Sequence, residues 1–262
     1  MKNILFIFSI LLVLAACTKS STDTTTNATL NVRLVDAPVA YDKVYIDIQD
    51  VQVKVTADAS ESGWVSLTMP RKGVYNILDF RNGLDTLLGS ISLPAGTISQ
   101  LRLVLGNNNN VVYNGVTSNM QTPSSQQSGL KLQINSTFLS GVTYTLWVDF
   151  DASKSIVHTG NNNFILKPVI KVFNQATSGA ISGIILPAQS KSSIYAIMSL
   201  NDTVTSTQID TVTGTFLLRG IPAGTYAVNV HVNSGLSKDS TKQNVIVNNG
   251  VVTSLSTIQL HN

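Results

Sequence analysis

From Ala28 almost to the C-terminus, apolar and polar residues alternate with a period of two, broken by clusters of Gly, Asn, Pro and Ser. A period of two sends successive side chains to opposite faces of a strand, so each such segment buries one face and wets the other. Leu30, Val32 and Leu34 alternate with Asn31, Arg33 and Val35, and Val44, Ile46 and Ile48 alternate with Tyr45, Asp47 and Gln49. Farther along the same segment the apolar set moves to odd numbers, Val51, Val53 and Val55. One extra residue near Gln49 and Asp50, a β-bulge, restores a single inner face. No stripe of helical period competes, and charged residues at 12% and aromatics at 6%, with abundant Thr, Ser, Asn and Val, agree with an all-β, exported chain.

Further strands are expected at residues 64–67, 73–78, 99–105, 111–113, 130–134, 143–150 and 164–173, with a long polar loop at 118–129. A short polar linker at 174–179 leads to a second series at 180–186, 194–200, 215–218, 226–232, 244–247 and 251–260. Two tandem β-sandwiches therefore follow from the pattern, residues 29–174 and 179–262. The tetrads Pro94-Ala95-Gly96-Thr97 and Pro222-Ala223-Gly224-Thr225 each stand before a strand, where Pro fixes φ and Gly supplies the turn.

Residues 1–16 read as a removable leader: Lys2, an apolar run from Ile4 to Leu14 interrupted by Ser9, then Ala15 and Ala16. The run spans about 20 Å as a helix, short of a bilayer. The chain's single cysteine follows, and Leu14-Ala15-Ala16-Cys17 resembles the lipobox of bacterial lipoproteins. That resemblance implies a diacylglycerol on the Cys17 thiol, cleavage before Cys17 and acylation of the new amine; the alternative is an ordinary signal with a coincidental Cys. Two or three acyl chains at about 0.8 kcal/mol per buried methylene hold a protein on a membrane lastingly. Residues 17–28 then serve as a lipidated tether, with no apolar side chain from Thr18 to Asn27. Thr18 after the cysteine favours the outer membrane, at its periplasmic face or at the cell surface.

Six stretches, LNVRLVDAP, YIDIQDVQV, GVYNILDFRNG, LPAGTISQLRLVLG, LWVDFDASKSIV and FILKPVIKVF, occur in order between Leu30 and Phe173. On them the first sandwich resembles the bacterial lipoprotein domain known as domain of unknown function 4382. The resemblance implies an exported β-sandwich and no reaction. GAISGIIL and GTFLLRGIPAGTYAVNV make the second sandwich similar to carboxypeptidase-regulatory-like or prealbumin-like modules of immunoglobulin type. That similarity implies a structural or adhesive module without peptidase activity.

The chemistry-bearing residues are sparse. There is no Gly-x-Ser-x-Gly elbow, no His-Glu-x-x-His helix and no Gly-rich phosphate cradle, and His158, His231 and His261 are far apart. An enzyme is not expected, nor a cofactor. A formal net charge of +3 spread thinly along the chain excludes nucleic acid as the expected partner. Asp149 and Asp151 stand two apart in VDFDAS, so on a strand they share a face and could hold a hard cation such as calcium, with Asp36, Asp42, Asp47, Asp50, Asp79 or Asp85 as further stock. The alternative is that they face solvent or cap the turn that follows. Trp64, Trp147 and Tyr113 are candidate platforms for a sugar ring, or else packing residues.

Asp followed by Thr or Ser and then an aliphatic residue or Thr recurs at Asp23-Thr24, Asp85-Thr86, Asp202-Thr203, Asp210-Thr211 and Asp239-Ser240. The pattern is similar to the O-glycosylation acceptor of exported bacterial proteins, and equally to favoured turn pairs. Thr24, Thr86, Thr203, Thr211 and Ser240 are the acceptor candidates. These readings converge on a lipid-anchored, non-enzymatic envelope protein that binds a glycan or another envelope protein. A structural spacer and a hydrolase with an acidic site at Asp149 are the alternatives.

Overall fold

The computed structural model describes residues 27–36, 40–55, 62–123, 129–160, 163–198 and 202–262. Cys17 and Thr24 therefore lie outside the described residues. Thirteen strands among the described residues build the first sandwich. In chain order they are β1 (Ala28–Asp36), β2 (Lys43–Lys54), β3 (Trp64–Ser66), β4 (Gly73–Asn76), β5 (Thr86–Leu93), β6 (Gly96–Leu105) and β7 (Asn110–Tyr113). β8 (Val116–Gln121), β9 (Leu130–Phe138), β10 (Thr143–Phe150), β11 (Ile156–Gly160), β12 (Asn163–Leu166) and β13 (Ile170–Asn174) complete it. One sheet runs β13-β10-β1-β5, with β1 parallel to β10. The other runs β11-β12-β8-β7-β2-β6-β9, with β3 and β4 also pairing with β2.

The parity change in β2 is a bulge at Gln49. Ile48 pairs with Leu105 and Asp50 with Val104, so the register slips by one residue. Val44, Ile46 and Ile48 before the slip and Val51 and Val53 after it are all fully buried, facing Leu30, Val32 and Leu34 of β1 across one core. Each such aliphatic side chain contributes about 1.5–3 kcal/mol by leaving water. At Gly89 on β5 a neighbouring segment presses close: a Cβ there would sit 2.8 Å from Leu67 and 3.2 Å from the Thr68 carbonyl.

The second sandwich uses β14 (Gly179–Leu186), β15 (Ser193–Ile197), β16 (Thr203–Gln208), β17 (Thr215–Ile221), β18 (Gly224–His231), β19 (Ser240–Val247), β20 (Val252–Ser254) and β21 (Ile258–Gln259). Its sheets run β17-β14-β20, with β21 also on β14, and β16-β15-β18-β19. Ile181, Ile185, Ile194, Phe216, Leu218, Val228 and Val230 fill a core separate from the first. Both Pro-Ala-Gly-Thr tetrads launch strands, β6 from Gly96 and β18 from Gly224.

The protein is thus all-β, two tandem β-sandwiches. The only α-helix among the described residues is the single turn α1 (Ala152–Ser155). No helix among them is long and apolar enough to cross a membrane.

Several expected segments differ in detail. The strand expected at 73–78 stops at Asn76 and turns into a 3-10 segment, Ile77–Phe80. The stretch expected at 164–173 splits at Pro168, which has no N–H to continue a ladder, into β12 in one sheet and β13 in the other. The polar loop expected from 118 starts later, because β8 occupies its first residues with only Met120 buried.

Candidate functional site at the joint between the sandwiches

The two sandwiches meet along β10, β13 and the segment after the 3-10 turn on one side, and β16 and β17 on the other. Asp85 is the centre of this joint. Its Oδ1 accepts from Arg33 Nε of β1, and its Oδ2 accepts from Arg219 Nη1 of β17 at 2.9 Å and from Trp147 Nε1 of β10 at 3.3 Å. Burial by itself would raise this carboxyl, but the three donated hydrogen bonds outweigh it and hold Asp85 below the ordinary carboxylate range. Trp147 stacks on Phe173 of β13, centroids 5.7 Å apart and planes 12° from parallel, and the Arg219 guanidinium lies 5.8 Å from the indole centroid.

Backbone geometry brings the strands close enough for these contacts. Asn82 takes φ 55°, a left-handed conformation that Asn tolerates, and its side-chain amide pairs with β17 as a strand residue would. Its Nδ2 donates to the Thr215 carbonyl at 3.1 Å and its Oδ1 accepts from Leu217 N at 3.0 Å. Gly220 has φ 69°, and a Cβ on it would stand 2.6 Å from the Phe173 ring. Arg81 Nη1 donates to Gln208 Oε1 at 3.3 Å, and Lys171 Nζ donates to the Val204 carbonyl. A cleft of about 160 Å³ opens beside the stack, lined by Trp147, Phe173, Arg219, Gly220, Val251 and Val252.

The two carboxylates expected to act together have different surroundings. Asp149 is on β10, whereas Asp151 follows the strand's last residue and caps α1. Asp151 accepts from Ser153 Oγ at 2.6 Å, from Lys154 N at 3.2 Å and from Lys154 Nζ at 2.9 Å. Burial would raise Asp151, and the Ser153 and Lys154 hydrogen bonds more than reverse it, so its carboxyl is lowered. Asp149 is pushed up to about 7, by burial first and by the charge of Asp151 second. A third carboxylate stands near: Asp36, the last residue of β1, is buried and held well above the ordinary range by burial and then by Asp149. No group of three or more His, Cys, Asp or Glu side chains converges in a metal-binding arrangement among the described residues.

Of the acceptor candidates, Thr203 opens β16 and Thr211 lies in a turn, both exposed. Asp210 shapes that turn by accepting from Val212 N at 2.9 Å and Thr213 N at 2.7 Å. Ser240 opens β19 behind Asp239, which accepts from Val232 N and pairs with His231. Thr86 opens β5 beside the joint carboxylate Asp85.

The aromatic candidates each pack against a neighbour. Trp64 lies under the Arg102 guanidinium at 4.2 Å, Trp147 is in the joint, and Tyr113 clusters with Tyr41, Phe164 and His158.

The sequence marks Asp36 only as a further cation ligand and Asp85 as that and as the neighbour of Thr86, and it does not single out Asn82 or Arg219. For Asp36 a signal exists: it continues the alternation of Leu30, Val32 and Leu34, which puts a carboxylate on the core-facing side of β1.

Residues 27–168 match the family described as Domain of unknown function (DUF4382). No curated protein matches the sequence. Among solved structures, the chain is similar to the Bacillus anthracis TIE protein at 11% identity and TM-score 0.24, covering 90% of this chain and 34% of that one. It is similar to GBS52, the minor pilin of Streptococcus agalactiae, at 11% identity and TM-score 0.23, covering 88% and 94% respectively. A fimbrial protein from Bacteroides ovatus gives 8% identity and TM-score 0.22, covering 90% and 51%. The chain thus spans about a third of the TIE protein, and overlays this loose carry no argument about function.

Proposed function

The chain belongs to the family described as Domain of unknown function (DUF4382), a description that carries no activity, and we propose from its own residues that it is a lipid-anchored envelope protein that binds rather than catalyses. The observation that carries this reading is the position of the only cysteine, Cys17, directly behind an apolar leader and Leu14-Ala15-Ala16, and ahead of a polar tether that leads into the sandwiches. A thiolate is the nucleophile that thioether formation with a diacylglycerol needs, and small residues before it admit the processing enzymes.

The joint supports the second half of the proposal. Asp85, Asn82, Arg81 and Lys171 all reach from the first sandwich to the second, so the pair projects from the tether as one stiff arm rather than as two swinging beads. Such an arm presents a glycan or another envelope protein with a surface of fixed shape. The same stiffness would serve a spacer, and binding separates the two.

The test has two arms. Wild-type protein in the native host fractionates with membranes and Cys17→Ser moves to the soluble fraction; membrane retention of the variant overturns the anchor. The purified chain is then applied to a glycan array and to envelope extracts, and saturable capture supports a binder, whereas none leaves the spacer as the reading.

A further inference from the structure

Exposed apolar side chains collect at one end of the first sandwich, the end at which the described chain begins. β1 starts there at Ala28 and β10 starts beside it, with Thr29 paired to Thr143, while β5 and β9 finish there. Gly141 N donates to the Asn27 carbonyl at 3.2 Å and Thr29 N to the Val142 carbonyl at 3.0 Å, so the turn at 139–142 is bound to the end of the tether. Leu139 in that turn is 62% exposed, and Val142 and Val55 are each 41% exposed. Pro94 and Ala95, between β5 and β6, are exposed as well. A pocket of about 250 Å³ walled by Leu30, Val55, Leu93, Pro94, Ile98 and Phe138 belongs to the same end. Apolar residues exposed singly need no explanation, but a group of them beside an apolar pocket marks a surface that something covers. We propose that the lipid bilayer carrying the Cys17 anchor covers this end, with Leu139, Val142, Val55 and the Pro94-Ala95 turn entering its headgroup layer.

The distribution of charge singles out lipid as the partner. Among the described residues of this end, 27–29, 55, 93–98 and 138–143, none is Asp, Glu, Lys, Arg or His. Asp58 and Glu61, in the connection that follows Val55, lie outside the described residues. At the opposite end Asp42 and Lys43 lead into β2, Asp79 and Arg81 follow β4, and Asp151 and Lys154 follow β10. Leu84 and Val116, exposed at that end, have charged neighbours: Leu84 precedes Asp85, and Asp42 accepts from Gly115 N. An uncharged end enters a headgroup layer without stripping water from an ion, which is the largest cost of moving a protein surface into lipid. Exposed aliphatic side chains supply the favourable part, in proportion to the apolar area they bury.

The tether places the bilayer at this end. Thr18 to Asn27 are ten residues and span at most about 36 Å, so a chain acylated at Cys17 keeps Ala28 within that distance of its lipid. β1, nine residues long, then carries the chain about 30 Å from the uncharged end to the charged one. Arg81, Asn82 and Asp85, which hold the second sandwich, belong to the charged end. The uncharged end is therefore the one that the tether holds nearest the membrane, and contact there leaves the second sandwich directed away from it.

This contact rests on the anchor proposed above, and its test separates the two. The acylated chain, taken from host membranes, is reconstituted in phosphatidylcholine vesicles with and without dibrominated phosphatidylcholine, whose bromines quench an indole at contact. Leu139→Trp adds a reporter at the apolar end, and Leu236→Trp adds one on the second sandwich, where Leu236 is 86% exposed. Against the background of Trp64 and Trp147, Leu139→Trp should lose emission to the brominated lipid and shift to the blue, and Leu236→Trp should do neither. High salt should leave the quenching unchanged, because no ion pair supports it. Adding Val142→Asp should bring the quenching of Leu139→Trp down to the level of Leu236→Trp, since a carboxylate resists the headgroup layer. Circular dichroism checks each fold, and Val55→Trp is the second reporter should Leu139→Trp fail to fold.

A chain that floats with the vesicles while Leu139→Trp is quenched no more than Leu236→Trp overturns the contact and leaves the anchor standing. Quenching that high salt abolishes overturns it too, because charge would then hold the chain to the lipid. A dimer dispersed by Leu139→Asp, without quenching in Leu139→Trp, gives the patch to a second copy and also overturns it. If the native chain proves unacylated, the chain from Cys17 onward is coupled through that single thiol to a maleimide lipid and read in the same way. Quenching there faults the anchor alone, and its absence overturns the contact.

Discussion

Replacing Asp85 with Ala removes the one acceptor shared by three donors, and the structure sets the size of the loss. The side chain of Asp85 is 15% exposed, while its partners Arg33 and Arg219 are 35% and 28% exposed, so water partly screens both ion pairs. Discounted for that exposure, the two pairs contribute about 0.5–1 kcal/mol each. The Trp147 N–H, half-buried and left without its acceptor, adds about 1 kcal/mol. The sum is about 2–3 kcal/mol, concentrated at the contact that couples the sandwiches.

For a unit of more than two hundred residues unfolding together, each kcal/mol moves the midpoint by about 2–4 °C, so a fall of about 5–10 °C is expected. Differential scanning calorimetry should give one endotherm for the wild-type chain and, for Asp85→Ala, a lower endotherm that separates into two as the sandwiches uncouple. A midpoint within about 1 °C of wild type and an unchanged single peak would refute the argument that Asp85 holds the joint.

The same carboxylate predicts an acid response. Asp85 is lowered in the folded state, so its contribution is complete above the unfolded carboxylate pKa of about 4 and is lost as pH falls through the lower folded value. Wild-type and Asp85→Ala midpoints should therefore converge at acidic pH, and a gap that stays constant to pH 2 would contradict the assignment. Gly220→Ala, at φ 69° and with a Cβ only 2.6 Å from Phe173, should cost about 2 kcal/mol or more and shift tryptophan fluorescence by disturbing the Trp147 stack; unchanged stability and emission would count against the close approach. If the Asp-Thr pairs are glycan acceptors, mass spectrometry of the native-host protein should find added hexose-type mass at the exposed Thr203 and Thr211 and none at Thr86, beside the occupied Asp85. Unmodified peptides at both exposed sites would leave these pairs as turn residues.

How far the sequence carries depends on whether a feature is local. The bulge in β2 was legible because the core face of Val44, Ile46 and Ile48 must continue through Val51 and Val53, and only one inserted residue allows that. The two Pro-Ala-Gly-Thr tetrads were legible for the same reason, since their turn chemistry is complete within four residues. β5, β8, β11 and β16 escaped. TLLGSISL is interrupted by Gly89, which a close neighbouring segment requires, and TVTSTQ and VTSNMQ are polar strands whose partners lie far along the chain. The rule that residues two apart share a face fails for Asp149 and Asp151 because β10 ends at Phe150 between them. The joint itself was invisible, because Asp85, Arg33, Trp147 and Arg219 are scattered over β1, β10, β17 and a loop, and only the folded chain gathers them.

The anchoring claim is tested most directly by the intact mass and N-terminal peptide of the protein taken from its native membranes. The account predicts a chain beginning at Cys17 with a diacylglycerol on its sulfur and an acylated amine. A chain that still carries residues 1–16 and an unmodified Cys17 thiol would contradict it.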